Sequence, residues 1–232
     1  MRYLIKYTKG SDIKYVAHLE LMRTIQRIIR RSGLPVEYSK GYNPHMILSI
    51  AQPLAVGVYS RGEYLDVHFQ EELNENDMIE KLNEASTPTI KFLKVVKVDE
   101  SEKKVPQSMA FIDAAQYTLK FKCLENQKVE EGIKELLKLE QWTTIKETKR
   151  EKKEVDIKPL VKDINYKFDD NMLVIHTTLD CGSKSNLSAQ LLGEYIREMV
   201  HGINKDAFIN IEREEMFAYK GENLLPLSEY LK

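Results

Sequence analysis

Twice along this chain the apolar periodicity switches in the same order: strand, helix, strand, strand, helix, strand. In the first series residues 2–8 alternate as a strand and residues 15–32 carry helical spacing, stopped by Gly33 and Pro35. A short strand at 35–39 leads into a Gly41–Pro44 loop. Strands follow at 45–50 and 62–69, a helix opens near Asn74 or Asn76, and a strand at 89–98 closes the series. The charged, proline-bearing stretch DESEKKVPQS, residues 99–108, has the composition of a linker. The second series places strands at 115–123, near 142–148, at 164–169, 172–179 and 207–218, with helices at 128–139 and about 187–200. Asp169-Asp170-Asn171 suits a hairpin turn, and KREKKEVD, between 148 and 156, an exposed loop or hairpin tip. Two successive β-α-β-β-α-β series imply an α+β chain of two tandem ferredoxin-like units with antiparallel sheets. The expected boundaries are 1–98 for a basic N-terminal unit, 99–112 for a linker and 113–232 for the second unit.

The first helix carries the clearest chemical pattern. On a helical wheel Arg23, Arg27, Arg30 and Arg31 fall within roughly a quarter turn of one another, and Leu21, Ile25, Ile28 and Ile29 fall opposite. One face can bury against a sheet while the other offers guanidinium groups to a polyanion. Residues 1–61 contain ten Lys or Arg against three Asp or Glu, whereas the whole chain holds 35 basic and 36 acidic residues. The positive charge is therefore a local asymmetry.

Composition narrows the remaining classes. Apolar residues at 42% with 31% charged describe a globular chain, and no run reaches the roughly 20 apolar residues a bilayer demands. The start MRYLIKYTKG alternates like a strand without a hydrophobic signal core, so a cytoplasmic location is expected. Cys123 and Cys181 lie far apart with no partner at motif spacing, which excludes a Cys-rich zinc or iron–sulfur site built from this chain alone. No cofactor and no metal site is expected.

The string AHLELMRTIQRIIRRSGLPVEYSKGYNPHMILSIAQPLAVGVYSRGEYLD resembles the uncharacterised family called radical-SAM-linked proteins. The matching motifs are Ala17-His18-Leu19-Glu20, Arg23 to Arg31, Gly33-Leu34-Pro35, Tyr38 to His45 and Gly57 to Glu63; VDIKPLVKDINY is a weaker echo further on. The family shows Ser where Ala17 stands, so a helix N-cap is absent here, and Asp where Glu20 stands. The resemblance implies a bacterial protein encoded beside, or fused to, a cobalamin-binding radical SAM protein. This chain has no CxxxCxxC, so that chemistry would sit in a partner.

Loop residues Tyr38, Ser39, Lys40, Tyr42, Asn43 and His45, held by Gly41 and Pro44, suit either a binding pocket or a tight turn. Aromatic faces beside cations are what single-stranded nucleic acid requires. The expected RNA- or anion-contacting set is Arg23, Arg27, Arg30, Arg31, Lys40, Tyr38, Tyr42, Asn43, His45 and Arg61. His18 and His45 are weak catalytic candidates: together they would supply acid and base for 2′-hydroxyl attack, or two metal ligands with Glu20 or Glu63 as third. The expected function is an RNA-binding accessory protein working with a separately encoded radical SAM enzyme in RNA or ribosome-related modification, with binding favoured over catalysis. The alternatives are a metal-independent RNA endonuclease or RNA-modifying enzyme, and a pure protein-interaction module docking the radical SAM partner.

Overall fold

The computed structural model describes residues 1–100, 105–147 and 152–232. By contacts the chain divides into two units, Met1–Asp113 together with Arg213–Lys232, and Ala114–Glu212. The architecture is mixed α+β, and among the described residues no helix is long and apolar enough to cross a membrane.

In the first unit β1 (Arg2–Lys9) is followed by a 3-10 turn (Ser11–Ile13) and α1 (His18–Arg31). Then come β2 (Leu48–Ile50), β3 (Tyr59–His68), α2 (Glu75–Glu84) and β4 (Phe92–Lys97). Strand β1 pairs antiparallel with β3 on one side and β4 on the other, and β2 adds antiparallel to β3. The register sets Tyr3 opposite Val67, Ile5 opposite Leu65 and Tyr7 opposite Glu63. Strand alternation sends all six side chains to one face. The α1 residues Leu21, Ile25, Ile28 and Ile29 join Tyr3, Ile5, Tyr7, Leu65 and Val67 in one core, with Met78 and Leu82 from α2. Ile25, Ile28 and Ile29 are fully buried, each burial worth about 1.5–3 kcal/mol relative to exposure. That core pins α1 and turns its arginine face outward.

Helices α1 and α2 start differently. Asn74 caps α2 by accepting from the amides of Asn76 at 2.9 Å and Asp77 at 3.2 Å. Ala17 occupies the same extended conformation before α1, at φ −70° and ψ 157°, but offers no side-chain acceptor. The helix begins three residues later than its periodicity suggests, because Ser11–Ile13 take up a separate turn. It ends as expected, with Gly33 at φ +69° just beyond it. The expected strand at 35–39 is reduced to two isolated bridges, Val36 with Phe69 and Tyr38 with Met46.

The other face of the first sheet is fastened by charge. Arg2 and Asp66 form an ion pair with both side chains 2% exposed. Arg2 also donates to the carbonyls of Val105 and Pro106, each at 2.8 Å, and Asp66 accepts from the Ser108 amide at 2.9 Å and from its hydroxyl. Residues 105–108 of the expected linker are therefore packed down by four hydrogen bonds. Its residues 101–104 lie outside the described residues.

The second unit opens with β5 (Ala114–Lys122) and α3 (Asn126–Lys138). Strands β6 (Thr143–Glu147) and β7 (Lys152–Asp156) pair with each other, and residues 148–151 of the expected loop lie outside the described residues. Strands β8 (Val161–Asp169) and β9 (Met172–Asp180) form a hairpin through Asp170, whose φ is +50°, and β9 pairs with β5. Helix α4 (Ala189–Met199) packs on β5 where Gly193 lets it close: a Cβ there would lie 3.3 Å from Leu119. Cys123 and Cys181 are buried and form no disulfide.

Strand β10 (Asn210–Lys220) enters the first unit at Arg213 and stands beside β3 there; β11 (Asn223–Pro226) pairs with it, and α5 (Leu227–Tyr230) follows.

Candidate functional site

The arginines of α1 share a solvent face but differ in what holds them. Arg23 is paired with Glu20 one turn earlier, with both side chains more than half exposed, a contact of little energetic weight. Arg31 donates from Nη2 to the carbonyl of Ala85 at 2.7 Å, satisfying the residue that caps the end of α2. Arg27 and Arg30 stand exposed, and among the described residues neither enters a hydrogen bond or ion pair. Arg61, at the start of β3, pairs with Glu214 at 2.9 Å while its side chain stays 61% exposed. The five arginines of the expected set are thus graded: two guanidiniums are open, two are loosely paired, and Arg31 works on the fold.

The loop from Tyr38 to His45 is closed on itself. The Ser39 amide donates to the His45 carbonyl at 2.8 Å, the His45 amide donates to the Ser39 hydroxyl at 3.1 Å, and that hydroxyl lies 2.9 Å from His45 Nδ1. Gly41 takes φ +125°, which an L side chain rarely adopts. The turn leaves Lys40, Tyr42 and Asn43 exposed, with Tyr42 projecting wholly into solvent and Tyr38 39% exposed. These residues form a rigid projecting corner; Tyr38 and Tyr42 present rings at a surface.

His18 is the first residue of α1, and its Nδ1 is buried without a partner among the described residues. Glu20 faces Arg23, and Glu63 is fully buried with both oxygens taken by Arg213. Glu63 is therefore committed to Arg213 and is not available as the third ligand of a His18–His45 metal site. Among the described residues no group of three or more His, Cys, Asp or Glu is placed to hold a metal.

Sequence reasoning missed a buried polar cluster beneath the entry to α1. Arg213 meets Glu63 with Nε to Oε1 at 2.8 Å and Nη2 to Oε2 at 2.5 Å, and Nη2 also reaches the Gln52 carbonyl at 2.7 Å. Lys9, 1% exposed, donates to the carbonyls of Lys14 at 2.9 Å and Val16 at 3.0 Å, tying down the segment that leads into α1. Burial pushes the Lys9 pKa below its usual value, with Glu63 opposing and Arg213 assisting. Tyr7 is fully buried with its hydroxyl unpartnered among the described residues, and burial, then Glu63, raises its pKa well above normal. Gly62 permits the close passage of β10: an added Cβ would lie 2.3 Å from the Glu214 carbonyl oxygen. The signal was present in outline, since Glu63 is in phase with Leu65 and Val67, and a carboxylate on an apolar face demands a partner.

A family model described as "Uncharacterized protein conserved in bacteria (DUF2344)" matches residues 2–189. That description gives no activity, ligand or partner. No curated protein matches the chain. Among solved structures, a chain of the "Crystal Structure of a Cbf5-Nop10-Gar1 Complex" is similar with a TM-score of 0.47 and 11% identity. The match covers 92% of the present chain and 48% of that one, so this chain spans about half the length of its structural neighbour.

Proposed function

Because the chain belongs to this uncharacterized family conserved in bacteria, whose members carry no assigned activity, we propose a function from its surface chemistry: an RNA-binding accessory protein. The observation that carries the proposal is the state of α1, whose apolar face is buried while Arg27 and Arg30 stand open on the other. Arg23 joins them once phosphate displaces Glu20, an exchange that costs little at an exposed pair. Tyr42 and Lys40 project from the neighbouring sequence on the Ser39–His45 corner, where a ring can stack on an unpaired base. The separately encoded radical SAM partner is proposed on the motif resemblance of residues 17–63. Ferredoxin-like organisation is proposed for each unit; in the first, the antiparallel order β4-β1-β3-β2 supports it.

Titration of labelled single-stranded RNA over a series of salt concentrations tests the function. Two engaged arginines give a slope of log K against log salt near about −1.4, and three near about −2.1. Replacing Arg27 and Arg30 with Gln flattens that slope. Absence of binding, or an unchanged slope in the double variant, overturns the proposal.

A protein-docking role is the second reading, favoured by Leu19, which is 64% exposed one turn before Arg23 on the same helix. Capture of a radical SAM protein that survives nuclease and is lost with Leu19→Ser supports it.

A further inference from the structure

A cleft of about 320 Å³ opens in the first unit, and none of its lining residues belongs to α1 or to the Ser39–His45 corner. Its floor is Val98 and Leu231, both buried, and its walls include Phe111 and Tyr230, whose ring centroids lie 5.2 Å apart at an interplanar angle of 46°. Lys220 and Lys232 stand exposed on the rim. Among the described residues Asp99 adds a carboxylate to the lining.

The walls are built rather than incidental. The Val98 amide donates to the Arg2 carbonyl at 3.0 Å, and the buried Arg2 guanidinium holds the Val105 carbonyl at 2.8 Å on another side of the cleft. The strand that carries Lys220 is tied to the Phe111 segment twice. The Asp113 amide donates to the Phe217 carbonyl at 3.0 Å, and the Tyr219 amide donates to Asp113 Oδ2 at 3.0 Å. Both aromatic rings are half-buried, so each keeps ring surface facing the opening. A site fixed in this way loses little entropy when a ligand enters.

We propose that this cleft binds a nucleotide, with the base against Phe111 and Tyr230 and the phosphate held by Lys220 and Lys232. The chemistry selects that class. The volume reaches the roughly 300 Å³ at which small-molecule sites begin, too small for a long acyl chain. Aromatic walls favour a planar ring, and two ammonium groups on the rim favour an anion. This site does not depend on the α1 surface.

Calorimetric titration of the whole protein with each of the four nucleoside monophosphates tests it, with adenosine and inorganic phosphate as half-ligands. At least one monophosphate binds saturably, and more tightly than either half-ligand. Lys220→Gln with Lys232→Gln weakens it about tenfold and brings it toward the nucleoside. Tyr230→Leu weakens monophosphate and nucleoside alike by about tenfold. The lysine pair is exposed, so that variant tests the site without disturbing the fold. The proposal is overturned if no monophosphate saturates, if phosphate alone binds as tightly, or if the lysine double variant binds like the parent. Any of these results leaves the RNA reading of α1 untouched.

Discussion

Arg213 grips Glu63 with two hydrogen bonds, 2.8 Å and 2.5 Å, between side chains only 2% and 1% exposed. They are 150 positions apart in the sequence and meet inside the first unit. Its charges bias the titration of Tyr7 and of Lys9, and Lys9 in turn holds the segment that leads into α1.

Removing one partner leaves the other charged and buried. Glu63→Gln therefore destabilises the protein by about 3–5 kcal/mol, and Arg213→Met by a comparable amount. The double variant recovers much of that loss, because neither charge remains. Denaturant titration of the four proteins gives the coupling directly; additive losses would refute this account.

Lys9 predicts an alkaline dependence with a definite sign. Its folded pKa is lowered, so the unfolded chain binds more protons between that pKa and 10.5. Across that window the Lys9 contribution makes stability rise with pH. Tyr7 and Tyr64 act oppositely above the ordinary tyrosine value of 10.0, because burial raises their pKa values in the folded state. The Lys9 contribution is isolated as the difference between the parent and Lys9→Met in unfolding free energy against pH. That difference should change in favour of the parent as the pH rises; a flat difference removes the proposed cause.

Gly62 and Gly33 should respond differently to a side chain. Gly62→Ala drives a methyl to 2.3 Å from the backbone oxygen of Glu214, which only movement of β10 relieves. Gly33→Ala meets open space, and its cost is the positive φ alone, about 1 kcal/mol. Thermal melts should show a large loss for the first and a small one for the second.

Ala17 already has N-cap geometry and lacks only the oxygen. Ala17→Ser should stabilise the protein by about 0.5–1 kcal/mol by accepting from an amide in the first turn of α1. A higher denaturation midpoint with an unchanged denaturant dependence is the expected readout.

Local patterns were legible. The 3.6-residue period placed Leu21, Ile25, Ile28 and Ile29 against the sheet, Asn74 announced the start of α2, and Asp170 marked the turn between β8 and β9. What the sequence concealed depends on distant neighbours. Nothing near Arg31 shows that the Ala85 carbonyl claims it, and nothing near Arg61 shows that Glu214 pairs with it. Strand β11 and the return of Arg213–Lys232 to the first unit rest on long-range pairing that alternation alone does not encode. The candidate surface was therefore readable as a list of side chains, whereas which guanidiniums remain open was not.

The split first unit has a consequence for biosynthesis. Glu63 leaves the ribosome 150 residues ahead of the arginine that neutralises it, so the nascent N-terminal segment carries an uncompensated acid in its interior until Arg213 has been made. Final consolidation of that segment must await the strand that carries Arg213, and a fragment ending at Asp113 should be aggregation-prone rather than native.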